Sequence, residues 1–196
     1  MRRLAALLGV FIAIFALYVL QKSLPTYGDI TSPIAVSGKT GKKVAARNFE
    51  LTVTQLRFAR NIQLTAFGNE RSYGTSGIWA IVEAEAAARN ETVTLMSAAW
   101  LGADGLRYLA SERISNAPAL LGRQQLEPGL PQRVLMIFEF PESEMNKGTL
   151  LVARYPFQPL DNELRIAMDS SATLLVNDQI TLERGRSDAD WSIEAK

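Results

Sequence analysis

Apolar and polar residues alternate with a period of two through most of the chain after position 48, and this pattern limits the domain to β-structure. Phe49, Leu51 and Val53 alternate with polar neighbours, as they would in a strand with one buried face. The apolar phase then shifts, which predicts a β-bulge or a break in the strand near Gln55. The same alternation between turn residues predicts further strands over 78–89, 93–101, 106–110, 132–140, 149–155, 163–168 and 172–182.

Short turns separate these segments, which favours an antiparallel β-sandwich over a fold with crossover helices. Asp104-Gly105 is a favoured hairpin turn, and Pro141 is well placed to open a short helical turn. We therefore expect an all-β antiparallel sandwich of about seven to nine strands in one domain over 47–184.

Three residues outside the predicted strands are candidate partner contacts. The segment 66–77 contains Gly, Ser and Asn and is predicted to be a loop. It holds Arg71 and Tyr73, and loops on rigid β-scaffolds often carry binding residues. Trp191 is the third candidate, because it stands in an otherwise polar C-terminal tail over 185–196. A tryptophan there either docks back on the sandwich or meets a partner.

The N-terminus has the character of a membrane anchor. Residues 4–20 are seventeen residues without a charge, after Arg2 and Arg3. A helix of that length covers about 25 Å, near the lower limit for a bilayer core. The positive-inside rule places residues 1–3 in the cytoplasm. A cleaved signal peptide is the main alternative, although Tyr18-Val19-Leu20 offers no small-residue cleavage site, and a buried core helix is a third. Residues 21–46, rich in Gly, Pro and Lys, are predicted to be a linker.

Composition excludes several kinds of chemistry. The chain has no Cys and no His, so it has no disulfide, thiolate site, histidine-based metal site or histidine general base. The net charge of +1 provides no field that would attract nucleic acid. An exported, disulfide-free domain of this size is typical of a bacterial envelope.

Acidic pairs are the remaining candidates for chemistry. Glu83 and Glu85 share one face of a predicted strand, where two carboxylates could bind Ca²⁺ or act as acid and base. A solvated sheet face accounts for them more simply, and the same holds for Asp188 and Asp190 in the tail. We predict no catalytic, metal-binding or cofactor-binding residue, no cofactor, and no enzymatic activity.

The order of motifs resembles a known family. FELTVTQL leads to GIWAIVEAEAAARNETVTL, then to AAWLGADGLRYLA and to LEPGLPQRVLMIFEFPES. This succession is similar to the telokin-like, immunoglobulin-like extracytoplasmic domains of bacterial membrane proteins and lipoproteins, over roughly residues 47–155. The resemblance implies an immunoglobulin-like sandwich and a binding or accessory role. The chain departs from the family in lacking a lipidation Cys and in carrying extra C-terminal strands.

These observations lead to one expected function and two alternatives. We expect a single-pass protein of the bacterial cytoplasmic membrane, held in the bilayer by residues 4–20, with its domain in the periplasm or outside the cell. The domain is expected to bind an envelope protein as a non-catalytic accessory module. A small-ligand or ion sensor or carrier is the alternative, and a hydrolase is the least favoured.

Overall fold

A computed structural model describes residues 2–24, 31–66, 68–157, 159–168, 175–185 and 190–195 of the chain. One long helix, α1, covers Arg2–Ser23. The strands are β1 (Ile34–Lys39), β2 (Lys43–Ala45), β3 (Phe49–Ala66), β4 (Asn69–Ala88), β5 (Ser97–Leu101), β6 (Arg107–Leu109), β7 (Gln132–Phe140), β8 (Thr149–Ala153), β9 (Asn162–Ala167), β10 (Val176–Arg184) and β11 (Trp191–Ala195). Short 3-10 turns lie at Leu121–Arg123 and Glu142–Met145.

The N-terminal region differs in part from the predicted anchor and linker. Within the described residues, no helix has both the length and the apolar character that crossing a membrane requires. Part of the predicted linker 21–46 belongs to the sandwich, because β1 and β2 pair with other strands. Residues 25–30 of that linker, with Asp188 of the tail, lie outside the described residues.

The strands form two sheets. The first sheet has the order β1-β9-β8-β5-β6, and the second has the order β11-β10-β3-β4-β7, with β2 beside the start of β3. β1 runs parallel to β9 and β10 runs parallel to β3, whereas the other strand pairs are antiparallel. The prediction of a purely antiparallel sandwich was therefore wrong, because segments far apart in the chain add strands alongside β9 and β3.

The first hydrophobic core lies between the two sheets. Trp100 of the first sheet is fully buried, and its ring stacks on Phe140 of the second sheet with 5.0 Å between centroids. The Trp100 indole N–H donates to the Glu144 carbonyl at 3.2 Å, which satisfies the one polar atom of the ring. The core therefore carries an aromatic cluster that ties the two sheets together.

Residues 69–77 of the predicted loop 66–77 belong instead to strand β4. β4 begins at Asn69, and Ala66 pairs with Asn69, so two residues connect β3 to β4. The loop prediction was wrong because exposed, polar residues are tolerated in a strand that pairs along one side. The irregularity predicted near Gln55 is confirmed by a register shift between Val53 and Gln55 within a continuous strand, and a second shift lies between Ala59 and Asn61.

Candidate interaction site

The β3–β4 hairpin consists of two halves that pack against each other. We call β3 Phe49–Ala59 with β4 Ile78–Ala88 the near half, and β3 Asn61–Ala66 with β4 Asn69–Gly74 the far half. β7 pairs only with the near half. β10 pairs mainly with the far half and carries β11 on its other side.

One contact shows that the far half folds back over the near half. By strand register, Arg133 of β7 is level with Thr52 of β3, and Trp191 of β11 lies just beyond the level of Thr65. A straight sheet would separate these positions by about 40 Å at 3.3 Å per residue. The Arg133 guanidinium carbon nevertheless lies 4.1 Å from the centroid of the Trp191 ring. The far half, with β10 and β11, thus forms a third layer on the outer face of the sandwich.

A second hydrophobic core fills the space between the halves. Residues from both halves contribute to it, and the connection between β6 and β7 adds more; its large members are Ile62, Leu64, Trp79, Ile81, Ile114, Leu135, Ile137, Ile180, Leu182 and Trp191. Because these side chains are buried on the face of the second sheet that points away from the first core, the far half is held rigidly in its folded-back position.

The bend in β4 lies between Tyr73 and Ile78. The Trp79 indole N–H donates to the Tyr73 carbonyl at 2.9 Å, although a straight strand would place residues six apart about 20 Å from each other. Two glycines, Gly74 and Gly77, flank the bend. A Cβ atom on Gly77 would overlap the backbone carbonyl of Phe140, so this position needs a residue without a side chain.

Substituting Gly77 tests the bend. Gly77→Ala is expected to lower the free energy of unfolding by about 2 kcal/mol, since the new methyl group meets backbone atoms that have no rotamer to relax into. Gly74→Ala is the matched control, because its Cβ would stand 3.1 Å from the Asn61 side-chain oxygen, which can rotate away. Chemical denaturation of both variants measures the difference. Equal stabilities would contradict a tight backbone approach at Gly77.

A charged cluster closes one end of the second core. Glu83 is buried, with 8% of the residue exposed, and its carboxylate pairs with the guanidinium of Arg57 and, at 3.2 Å, with that of Arg133. Arg133 in turn lies against Trp191. Glu85 is exposed two positions further along β4. The two carboxylates considered as a catalytic or Ca²⁺ pair therefore have different environments, and Glu83 is neutralised by arginine.

The far half leaves one side of β4 open. β7 pairs with β4 only from Ile78 onward, and within the described ranges no strand or bridge pairs with that side of β4 between Asn69 and Gly77. An edge strand of this kind presents backbone N–H and C=O groups to a second chain.

Hairpin geometry indicates which backbone groups face outward. Ala66 and Asn69 close a two-residue connection. In such hairpins the backbone N–H and C=O groups of the closing pair bond to each other, whereas those of the next pair point away from the partner strand, and this alternation continues along the hairpin. Glu70, Ser72 and Gly74 therefore direct their backbone groups to the open side. The Gly74 carbonyl is consistent with this, because it accepts a hydrogen bond from the Arg113 guanidinium at 3.1 Å.

The three predicted contact residues all lie in or beside the far half. Arg71 is exposed and Tyr73 is half-buried on β4. Arg71 also lines a small cavity of about 220 Å³ with Asn116 and Arg184. Trp191 is docked and 6% exposed, and its indole N–H has no hydrogen-bond partner in the part of the chain that the structure describes. A partner reaches Trp191 only if β11 moves.

A further cavity lies beside the segment that connects β6 to β7. It has a volume of about 490 Å³, and its lining combines apolar residues such as Leu95 and Ile137 with charged residues such as Glu112 and Arg123. The described residues contain no group of three or more carboxylates that could hold a metal ion.

Two solved structures are similar to the chain at low sequence identity. An uncharacterized beta-sandwich protein from Clostridium difficile 630 is 13% identical, with a TM-score of 0.46, over 74% of this chain and 99% of its own. The yjhA protein from Bacillus subtilis is 12% identical, with a TM-score of 0.49, over 67% of this chain and 99% of its own. No family model matches the chain, and no curated protein is significantly similar to it. The telokin-like assignment therefore stays a prediction.

Proposed function

We propose that this protein is a membrane-tethered, non-catalytic interaction module of a bacterial envelope complex. Its far half is proposed to bind an extended segment of a partner protein by strand addition. The observation that carries this proposal is the open side of β4 between Asn69 and Gly77, which lies on a rigid layer beside the half of the strand that β7 covers. Strand addition uses backbone hydrogen bonds for affinity and neighbouring side chains for specificity.

The proposed tether is the apolar segment 4–20. Its support is the uncharged sequence after Arg2 and Arg3, together with the surface of α1. The large apolar side chains from Val10 to Leu20 are between 49% and 77% exposed, which is costly in water and favourable in lipid. In this proposal the N-terminus is cytoplasmic and the sandwich faces the periplasm or the cell exterior.

Two of the predicted contact residues have positions suited to specificity. Arg71 and Tyr73 are exposed or half-buried on the open strand itself, so an added strand would pass beside both. The Arg71 guanidinium can form a bidentate ion pair with a carboxylate of the partner. Trp191 contributes by holding β11 against the near half, which keeps the open strand in place.

Proline at position 72 tests this function. Ser72→Pro removes one outward N–H from the open side, and proline is tolerated where an edge N–H faces solvent. We expect the free energy of unfolding to change by less than about 1 kcal/mol. Partner capture should fall by about tenfold or more, because the added strand loses a hydrogen bond and its backbone clashes with the proline ring. A photo-crosslinking residue at Glu70, used in intact membranes, measures the capture.

Ser72→Ala is the matched control, because it removes the hydroxyl and keeps the N–H. It should retain the crosslinked product that Ser72→Pro loses. A product that is equally abundant in both variants would rule out strand addition at this edge, and so would the absence of any crosslinked protein from position 70.

The 490 Å³ cavity beside the segment between β6 and β7 supports a second candidate function. Its volume suits a small organic ligand, and ligand sites combine apolar surface with polar groups that fix the orientation of the ligand. Glu112 and Arg123 would orient the ligand. The two functions differ in their expected response to Ser72→Pro, because a carrier using this cavity does not depend on the outward backbone groups of β4.

A further inference from the structure

The connection between β8 and β9 exposes large apolar side chains at one end of the sandwich. Phe157 is 72% exposed, Leu160 is 56% exposed and Tyr155 is 47% exposed. Ile34, at the start of β1, is also 45% exposed. We call Ile34, Tyr155, Phe157 and Leu160 the apolar end. Single exposed apolar residues are ordinary on protein surfaces, but several at one place indicate a binding surface.

Hydrogen bonds join this connection to the segment that leads from α1. The Leu160 N–H donates to the Ser32 carbonyl at 3.3 Å, and the Ile34 N–H donates to the Asp161 carbonyl at 2.7 Å. Ser32 follows the last residue of α1, Ser23, by nine positions. A fully extended chain of that length spans about 30 Å, so Ser32 and its partner Leu160 stay within roughly that distance of the helix end.

The backbone at Leu160 is held in an unfavourable conformation. Its φ is +57°, in the left-handed region where glycine or asparagine costs less than leucine. The fold thus keeps a leucine, rather than a better-suited residue, where its side chain points into solvent. Strained residues of this kind are often associated with binding sites.

The surrounding side chains suit a membrane surface. The Arg154 guanidinium carbon lies 5.4 Å from the centroid of the Tyr155 ring, and it also pairs with Glu91 at 2.9 Å. Tyrosine is enriched at the membrane–water interface, because its ring is apolar and its hydroxyl group is polar. Phe157 and Leu160 would then enter the outer part of the acyl region.

We propose that the apolar end rests on the lipid bilayer next to the anchor, as a second membrane contact that orients the sandwich. This inference rests on the proposed anchor, since α1 brings the domain to the membrane. Two contacts define an orientation, whereas a single point of attachment leaves the domain free to rotate. The open side of β4 would then be presented to a partner in one fixed direction.

The absence of Cys makes a direct test possible. Leu160→Cys carries an environment-sensitive fluorophore in the full chain, reconstituted into phosphatidylcholine vesicles. Leu106→Cys is the matched control: Leu106 is 57% exposed, and it precedes β6 at the edge of the first sheet opposite β1. We expect a blue shift and a several-fold rise in emission for the label at 160 alone, with quenching by lipids that carry a spin label high on the acyl chain.

The outcomes separate the two proposals. Alkaline carbonate extraction of the same vesicles reports on the anchor. A second variant carries the same label at Phe157→Cys. If the chain resists extraction while the labels at 160 and 157 both keep the emission spectrum of a water-exposed fluorophore, the apolar end does not touch lipid and this inference fails alone. If carbonate removes the chain, the anchor fails and the inference fails with it. A blue shift without lipid quenching indicates a protein contact and also overturns it.

Discussion

Replacing Glu83 with glutamine is expected to lower the free energy of unfolding by about 3 kcal/mol, because it leaves a partly buried arginine without its counter-charge. The side chains of Glu83 and Arg57 are 10% and 20% exposed, so water replaces the lost charge poorly. Arg133 is about half exposed and can move into solvent, although it then leaves the Trp191 ring. Chemical denaturation of the full chain in detergent measures the loss.

Glu85→Gln is the matched control on the same strand and the same face. Its carboxylate is exposed, and we expect a change within about 0.5 kcal/mol. The double variant Arg57→Leu with Glu83→Leu should recover most of the loss, since an apolar pair in place of a buried ion pair is often neutral. Equal effects of Glu83→Gln and Glu85→Gln would show that Glu83 is not buried under the far half.

Replacing Trp100 with alanine is expected to cost about 4 kcal/mol, the largest single effect that we predict. The ring contacts Phe58, Phe138 and Phe140, with centroid separations of 6.4, 6.3 and 5.0 Å. Its removal opens a cavity between the two sheets that rigid strands do not close. Trp100→Phe keeps part of the stacking and loses the hydrogen bond to Glu144, so we expect an intermediate cost of about 2 kcal/mol.

Leu109→Ala is the control for Trp100→Ala. Leu109 lies on β6, which pairs with β5 beside Trp100, and it is 71% exposed. Its truncation should change stability by less than about 0.5 kcal/mol. If the two variants Trp100→Ala and Leu109→Ala have the same stability in thermal and chemical unfolding, the aromatic cluster is not the centre of the first core.

Local patterns were sufficient to predict much of the near half. β7 covers the predicted residues Gln132–Phe140, and the register shift lies at Gln55 as expected. The turn at 102–105 is confirmed, because the Gly105 N–H donates to the Gly102 carbonyl at 3.1 Å. These features depend on neighbours in the chain, which the alternation of residues and the turn chemistry describe directly.

The candidate interaction site was predicted less well. Arg71 and Tyr73 were selected as loop residues, yet they lie on an open strand, and the outward backbone groups at Glu70 and Ser72 were missed. A signal was present, since Ile62, Leu64 and Ala66 continue the alternation of β3 toward Asn69. The glycine and serine content of the segment favoured a loop, although the same content also occurs in exposed edge strands.

By itself the sequence determined the β-class of the domain, the faces of its strands and the kinds of chemistry that a chain without Cys and His excludes. Only the tertiary structure decided that β1 and β10 pair in parallel, that the far half folds back, and that Trp191 docks beside Arg133. The physical reason is that the alternation of apolar and polar residues indicates which side chains are buried, but not which segment of the chain buries them. The partner of each face, and the one stretch of β4 left unpaired among the described residues, follow from contacts between segments far apart in the chain.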